Sequence, residues 1–104
     1  MRPEVLKGHV DLLLLATLRK GPLHGYGVVE ELRETSEGTF DLAEGTVYPA
    51  LYRLEAAGLL TSTGSKASGR RRRTYRLTAR GRAKLASERK AWRRFAEAMR
   101  EVVA

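Results

Sequence analysis

Turn-forming residues cut this chain into short pieces, and that punctuation limits its fold more than any other feature. Breaks stand at Gly21-Pro22, at Ser36-Glu37-Gly38-Thr39, at Gly58 and over Gly64-Ser65-Lys66-Ala67-Ser68-Gly69. Apolar residues recur with helical spacing before Gly58, with the alternation of strands from Leu59 to Leu77, and with helical spacing again after Thr78. With 104 residues, 42% of them hydrophobic, the segments belong to one small domain with a modest core.

The first segment predicts a helix over 6–20, with Leu6, Val10, Leu13, Leu14, Thr17 and Leu18 in one stripe. Leu12 and Leu15 fall outside that stripe, and a second apolar face points to cover from a partner subunit. A helix threaded through the domain is the alternative, for which a chain this short has little room. The next helix, over 25–35, turns Val28, Val29 and Leu32 inward and Glu30, Glu31 and Glu34 outward. Asp41 followed by Glu44 has the form of a capping box for a third helix that runs to Ala57 and is closed by Gly58. Val47, Ala50, Leu51 and Leu54 form its buried face. Its other face carries Thr46, Tyr48, Pro49, Tyr52 and Arg53, where a merely solvated face would carry Glu, Lys and Gln. Pro49 lacks an amide donor and implies either a kink or a helix start near Thr46.

Beyond Gly58, Leu59–Thr63 and Arg71–Leu77 read as strands joined by the Gly64–Gly69 turn. Alternation sends Tyr75 and Leu77 inward and leaves Arg70, Arg72, Thr74 and Arg76 outward, a basic finger. Thr78 then caps a long last helix in which Leu85, Trp92 and Met99 repeat by seven, accompanied by Phe95, Ala96, Val102 and Val103. Little of the domain remains to cover this stripe, so a seam with a second chain is expected through Leu12, Leu15, Leu85, Trp92, Phe95, Met99 and Val102. Glu88, at an expected seam position, argues against a long uninterrupted coiled coil.

Charge is segregated. Residues 1–65 hold 6 Lys+Arg and 9 Asp+Glu, a net of −3, and residues 66–104 hold 14 and 3, a net of +11, within an overall charge of +8. The run Arg70 to Arg73 is the densest part, and it points to an anionic partner, nucleic acid or an anionic membrane. The absence of cysteine excludes disulfides, thiol catalysis and thiolate zinc sites. His9 and His24 are too few for an ordinary structural metal site, and His24 reads as a cap or turn residue. No phosphate loop and no nucleophile-base arrangement suggests an enzyme, and neither cofactor nor metal is expected. The opening residues lack the pattern of a cleaved leader, so a cytoplasmic location is expected.

The order ααα-ββ-α describes a winged helix-turn-helix, mainly α with a small β-hairpin. The expected division is 1–77 as the DNA-binding unit and 78–104 as a C-terminal dimerisation helix, one compact domain overall. Such a fold sends its third helix into the major groove with the hairpin beside it, and both unusual surfaces of this chain lie on those elements.

The blocks GPLHGYGVVEEL (21–32), EGTVYPALYRLEAAGLL (44–60) and GRRRRTYRLTARGR (69–82), with LKGHVDLLLLATL (6–18), resemble the PadR-type transcriptional regulators in order and spacing, and cover most of the chain. The single last helix is similar to the small members of that family. Thr74 departs from the aromatic common at its position. The resemblance implies a homodimeric repressor on a pseudo-palindromic operator, with two third helices in successive major grooves about 34 Å apart. It implies that Thr46, Tyr48, Pro49, Tyr52 and Arg53 face bases or phosphates, with Arg53 suited to bidentate contact with guanine. It further implies phosphate contacts from Arg70, Arg71, Arg72 and Arg73, and a phosphate held at Tyr26 and the start of the second helix. Trp92 reads first as a core or seam aromatic. The resemblance adds a cavity between subunits for a small aromatic effector, with Phe95, Met99, Val10 and Leu13 as neighbours. A winged-helix protein-interaction module without operator binding is the alternative function, and membrane-surface binding by the basic last helix is a third.

Overall fold

The computed structural model describes residue 6, residues 8–67 and residues 70–104; of residues 65–67, 70 and 71 it describes the backbone only. Helix α1 (Val10–Thr17) ends in a 3-10 turn (Leu18–Lys20), and strand β1 (Leu23–His24) leads into α2 (Gly25–Thr35) and α3 (Glu44–Ala56). Strands β2 (Leu60–Ala67) and β3 (Arg70–Leu77) precede the long helix α4 (Ala79–Val103). The sheet is antiparallel in the order β1-β3-β2, with Leu23 opposite Tyr75, His24 opposite Thr74, and Leu60 opposite Leu77. The mainly helical winged-helix architecture expected from the segment order is present.

Several boundaries differ from expectation for local reasons. Gly8, with φ 90°, interrupts the first segment, so α1 starts at Val10 and Leu6 is helical ahead of that break, its carbonyl accepting from the His9 amide at 2.8 Å. The expected capping box is not formed: Ala43 occupies the N-cap without a side-chain hydrogen bond, and Asp41 instead pairs with Arg33 at 3.6 Å. Because α3 starts at Glu44, Pro49 lies within the helix and does not begin it. The residue four before it is Gly45, whose flexible backbone eases the clash that a proline ring makes with that carbonyl. The hairpin is longer than expected, since Gly64 to Ala67 continue β2 and pair with Arg73 to Arg70. Residues 68 and 69 of the expected turn lie outside the described residues. Strand β1 was not expected, because two residues show no alternation and only their partner identifies them as a strand.

The core is assembled from Leu14, Leu15 and Leu18 of the first segment, Val28, Val29 and Leu32 of α2, Val47, Ala50, Leu51 and Leu54 of α3, and Leu60, Tyr75, Leu77 and Leu85. Two residues assigned to the partner seam sit here. Leu15 is 1% exposed and Leu85 3% exposed within the single chain. The reason is that α1 contacts α2, α3 and α4, so it has core on more than one side and is the threaded helix after all. Leu12 and Leu13 are partly buried against the same core.

Two clamps set the ends of α3 and α4. At the end of α3, the Gly58 amide donates to the Glu55 carbonyl at 2.9 Å and the Leu59 amide to Leu54 at 3.0 Å, a Schellman ending that requires the positive φ (81°) of Gly58. Thr78 caps α4 by accepting from the Gly81 amide at 3.0 Å, and its hydroxyl donates to the Gly58 carbonyl at 2.7 Å. The Thr78 amide donates to the Leu59 carbonyl at 3.1 Å, and a Cβ on Gly81 would collide with that same carbonyl. The first turn of α4 is thus pinned to the loop after α3. Replacing Thr78 by Val should cost about 1 kcal/mol through removal of the cap. Gly81→Ala should cost about 1–3 kcal/mol or more, because a backbone carbonyl has to move. Urea denaturation of both variants checks the order.

Candidate nucleic-acid interface

Helix α3 has one face in the core, and the opposite face leaves Thr46, Pro49, Tyr52 and Arg53 exposed. Tyr48 behaves differently. Its ring lies directly on the first turn of α2, where a Cβ on Gly25 would come within 2.7 Å of the hydroxyl oxygen and closer still to the ring carbons. Gly25 is therefore required by close approach, with no unusual φ involved. Burial is the main cause that raises the Tyr48 hydroxyl above its ordinary pKa; Glu44 and Tyr52 add to it, and a backbone hydrogen bond with Tyr26 and the charge of Arg72 oppose it. Tyr52 lies one turn on, its ring tilted 46° to that of Tyr48 with centroids 6.3 Å apart.

Between α3, the start of α2 and the hairpin runs a groove of about 520 Å³. It is lined by His24, Gly25, Tyr26, Glu44, Tyr48, Tyr52, Arg72, Arg73 and Tyr75, so all four tyrosines of the chain border it. Hydroxyl donors, two guanidinium groups and the open amides of a helix start can hold an anion with hydrogen-bonding oxygens, of which a phosphate is one. His24 sits at the N-cap of α2 without a side-chain cap bond, and its ring lies over Gly27. Among the described residues no cluster of His, Asp and Glu has metal-ligand geometry.

The structure places the expected arginines unevenly. Arg72 and Arg73 are exposed and border the groove; the side chains of Arg70 and Arg71 lie outside the described residues. Arg73 donates to the Ser62 hydroxyl at 3.0 Å, and that hydroxyl donates to the Glu55 carboxylate at 2.6 Å. The relay joins β3 to α3 through β2. Arg53 donates twice to the Asp11 carboxylate, each time at 2.8 Å. The fork that the sequence assigned to guanine is thus filled by a carboxylate from α1, which also strengthens the protonated form of Arg53. Neither Asp11 nor the Glu55–Ser62 pair was found by sequence reasoning. The one available signal for Asp11 was a lone acid inside a leucine-rich helix.

The remaining expected residues, on α4, lie far from this groove along the chain. Trp92 is 46% exposed, Phe95 51%, Met99 47% and Val102 85%. The ring centroids of Trp92 and Phe95 are 5.8 Å apart, and the His9 ring packs T-shaped against Trp92 with centroids 5.9 Å apart. They form an aromatic group at the junction of α1 and α4.

Gly25→Ala should eject the Tyr48 ring and destabilise the chain by about 1–3 kcal/mol, as overpacking does; chemical denaturation reads it. The Tyr75 hydroxyl is pushed up from 10.0 to about 12, first by burial and then by Tyr52 and Glu55. A raised folded value means that its contribution is complete below pH 10 and is lost as pH rises from about 10 to about 12, where the unfolded chain gives up the proton first. Tyr75→Phe should flatten that alkaline decline of stability.

Residues 14–87 match the transcriptional regulator PadR-like family. The chain is 39% identical over 100 residues to the transcriptional regulator Rv3488 of Mycobacterium tuberculosis, an overlap of 96% of this chain and 88% of that protein. Among solved structures it is similar to a PadR family transcription regulator from Clostridium difficile, with TM-score 0.81 and 34% identity over 93% of this chain and 100% of that one. It is also similar to Bacillus subtilis PadR in complex with operator DNA, with TM-score 0.69 and 25% identity over 75% of this chain and 45% of that one. The motif resemblance is borne out over most of the chain, and the fold agrees with it: this chain belongs to the PadR-like family of transcriptional regulators, which are not enzymes.

Proposed function

We propose that this regulator is a homodimeric repressor that binds a pseudo-palindromic operator, with α3 in the major groove and the β2–β3 hairpin on the backbone. The observation that carries the reading is the groove that gathers Tyr26, Tyr48, Tyr52, Arg72 and Arg73 beside the open start of α2. These groups suit phosphate contacts, and Thr46, Pro49 and Tyr52 on the exposed side of α3 suit base edges. The charge distribution supports the same reading, since the net +11 lies beyond residue 65 and includes the hairpin arginines 70–73. The operator complex of the Bacillus subtilis relative is consistent with it.

Dimerisation through α4 completes the proposal. The stripe of Trp92, Phe95, Met99, Val102 and Val103 is exposed in the single chain, and a row of large apolar side chains left in water suits a protein contact. Leu12 is partly buried against the chain's own core, and Leu15 and Leu85 belong to that core. A second copy paired along the stripe sets two α3 helices on one face of the duplex, about 34 Å apart. The aromatic group of Trp92 and Phe95 offers flat faces for a small aromatic effector at the seam, and Met99, Val10 and Leu13 are assigned to its lining as part of the proposal. No helix among the described residues is long and apolar enough to cross a membrane, and we place the protein in the cytoplasm with DNA as its partner.

Gel shifts with duplexes selected from a random-sequence library test this reading. Affinity should fall steeply with salt, with a log-log slope of about −0.9 per phosphate neutralised, and Arg72→Ala with Arg73→Ala should shallow that slope by up to about 2. Thr46→Ala or Tyr52→Ala should instead lower the ratio of operator to random affinity by about 1–3 kcal/mol for each base that is no longer read. Phe95→Glu with Val102→Glu should yield monomers in sedimentation. A wild-type chain that binds no duplex, or an unchanged slope after removal of both arginines, contradicts the assignment.

A further inference from the structure

Helix α1 touches both surfaces that carry the proposed function. At its N-cap, His9 packs its imidazole T-shaped with the Trp92 indole, with 5.9 Å between centroids and 69° between planes. Two residues on, Asp11 grips Arg53 of α3 by two hydrogen bonds of 2.8 Å. The segment between and beyond these contacts is stiff: the Leu13 amide donates to the His9 carbonyl at 3.0 Å, and Leu14 and Leu15 anchor it in the core. One turn of α1 therefore holds an aromatic of α4 at one residue and the DNA-facing helix at another.

The chemistry of the Asp11–Arg53 pair suits a role other than stability. Both side chains are about half exposed, and pairs of that kind contribute little to folding. A two-bonded guanidinium and carboxylate do fix relative orientation, because both bonds hold only when the two planar groups stay aligned. The other ion pairs among the described residues, Arg33–Asp41 and Lys84–Glu88, lie within α2 and its following loop and within α4. The Asp11–Arg53 pair is the one that ties α1 to α3.

We propose that Asp11 is a positioning residue that couples the aromatic group on α4 to the recognition helix, with His9 as the contact at one end and Arg53 at the other. A displacement of α1 at Trp92 is then passed to α3, and occupation of α3 is passed back to Trp92, since coupling between two sites is reciprocal. The proposal rests on reading α3 as the helix that faces DNA. It also gives Arg53 a task different from reading guanine.

Trp92 is the chain's single tryptophan, so its emission reports the far end without labelling. The first arm needs no DNA. Emission and acrylamide quenching of Trp92 are measured in the full chain for wild type, Asp11→Asn, Arg53→Gln, Asp11→Glu and the control Asp41→Asn, which breaks a comparable exposed pair elsewhere. Asp11→Asn and Arg53→Gln should shift both signals, while Asp11→Glu and Asp41→Asn should match wild type. The shift caused by Asp11→Asn should vanish in a His9→Ala background. If a variant loses its cooperative melt, Arg53→Lys, which keeps the charge but not the fork, takes its place with the same expectation. Signals unchanged by breaking the pair, or an Asp11→Asn effect independent of His9, overturn the coupling.

The second arm adds a duplex selected from a random-sequence library. Wild-type Trp92 emission should change on binding, and Asp11→Asn should bind about two- to fivefold more weakly, the range open to an exposed ion pair, with Trp92 silent. Loss of discrimination in Arg53→Gln with full discrimination and an intact Trp92 response in Asp11→Asn overturns the proposal and makes Arg53 a base reader. Absence of any wild-type DNA binding defeats the functional reading on its own, and the DNA-free arm then decides the coupling.

Discussion

The close approach of Tyr48 to Gly25 is the contact on which the working surface depends. A helix start has no room for a tyrosine ring unless the residue beneath it lacks a Cβ, and Gly25 supplies that space. With the ring seated there, α3 is held at a fixed distance from α2, and its opposite face is free of the core. The same seating places Tyr48 at the floor of the groove that Tyr26, Tyr52, Arg72 and Arg73 surround. Packing and the lining of the groove thus share one side chain. Such a residue is poorly replaced even by phenylalanine if its hydroxyl meets a partner.

A second constraint fixes what lies on either side of α3. The Schellman ending at Gly58, the Thr78 cap and the carbonyl of Leu59 against Gly81 bring the end of α3, the base of the hairpin and the start of α4 to one point. From there the hairpin runs along one side of α3, while α4 leaves the domain after Leu85 and carries its apolar stripe into solvent. The long dimension of the chain, 53 Å against 28 and 21 Å, reflects that departure.

Charge acts through placement more than through amount. The overall +8 hides an acidic first part that is more than a solvated background. Asp11 and Glu55 come from that part, and each meets an arginine of the exposed surface, Asp11 directly and Glu55 through Ser62. Arg53 and Arg73 are therefore oriented groups in the free protein. Arg72 borders the same groove with no such anionic partner among the described residues, and so differs from both. Consecutive arginines in a sequence need not be equivalent in a fold.

Periodicity and turn residues were enough to read α2, the buried face of α3, the two long strands and the Thr78 cap of α4, because each follows from neighbours within a few positions. The motifs extended that reading to the family. Local signals failed where distant residues compete. Asp41 had the form of a cap, yet Ala43 takes the N-cap and Asp41 faces Arg33; Leu15 and Leu85 had the spacing of a seam, yet α1 has core on several sides. Strand β1 exists only because β3 pairs with it, and Arg53 finds a carboxylate 42 residues away. The sequence by itself determined the order of elements, the segregation of charge and the family; the tertiary structure decided which leucines are core, which arginines are held and where the groove lies. Those questions concern contacts between segments far apart in the chain, and only the packed arrangement brings the competing partners within reach of one another.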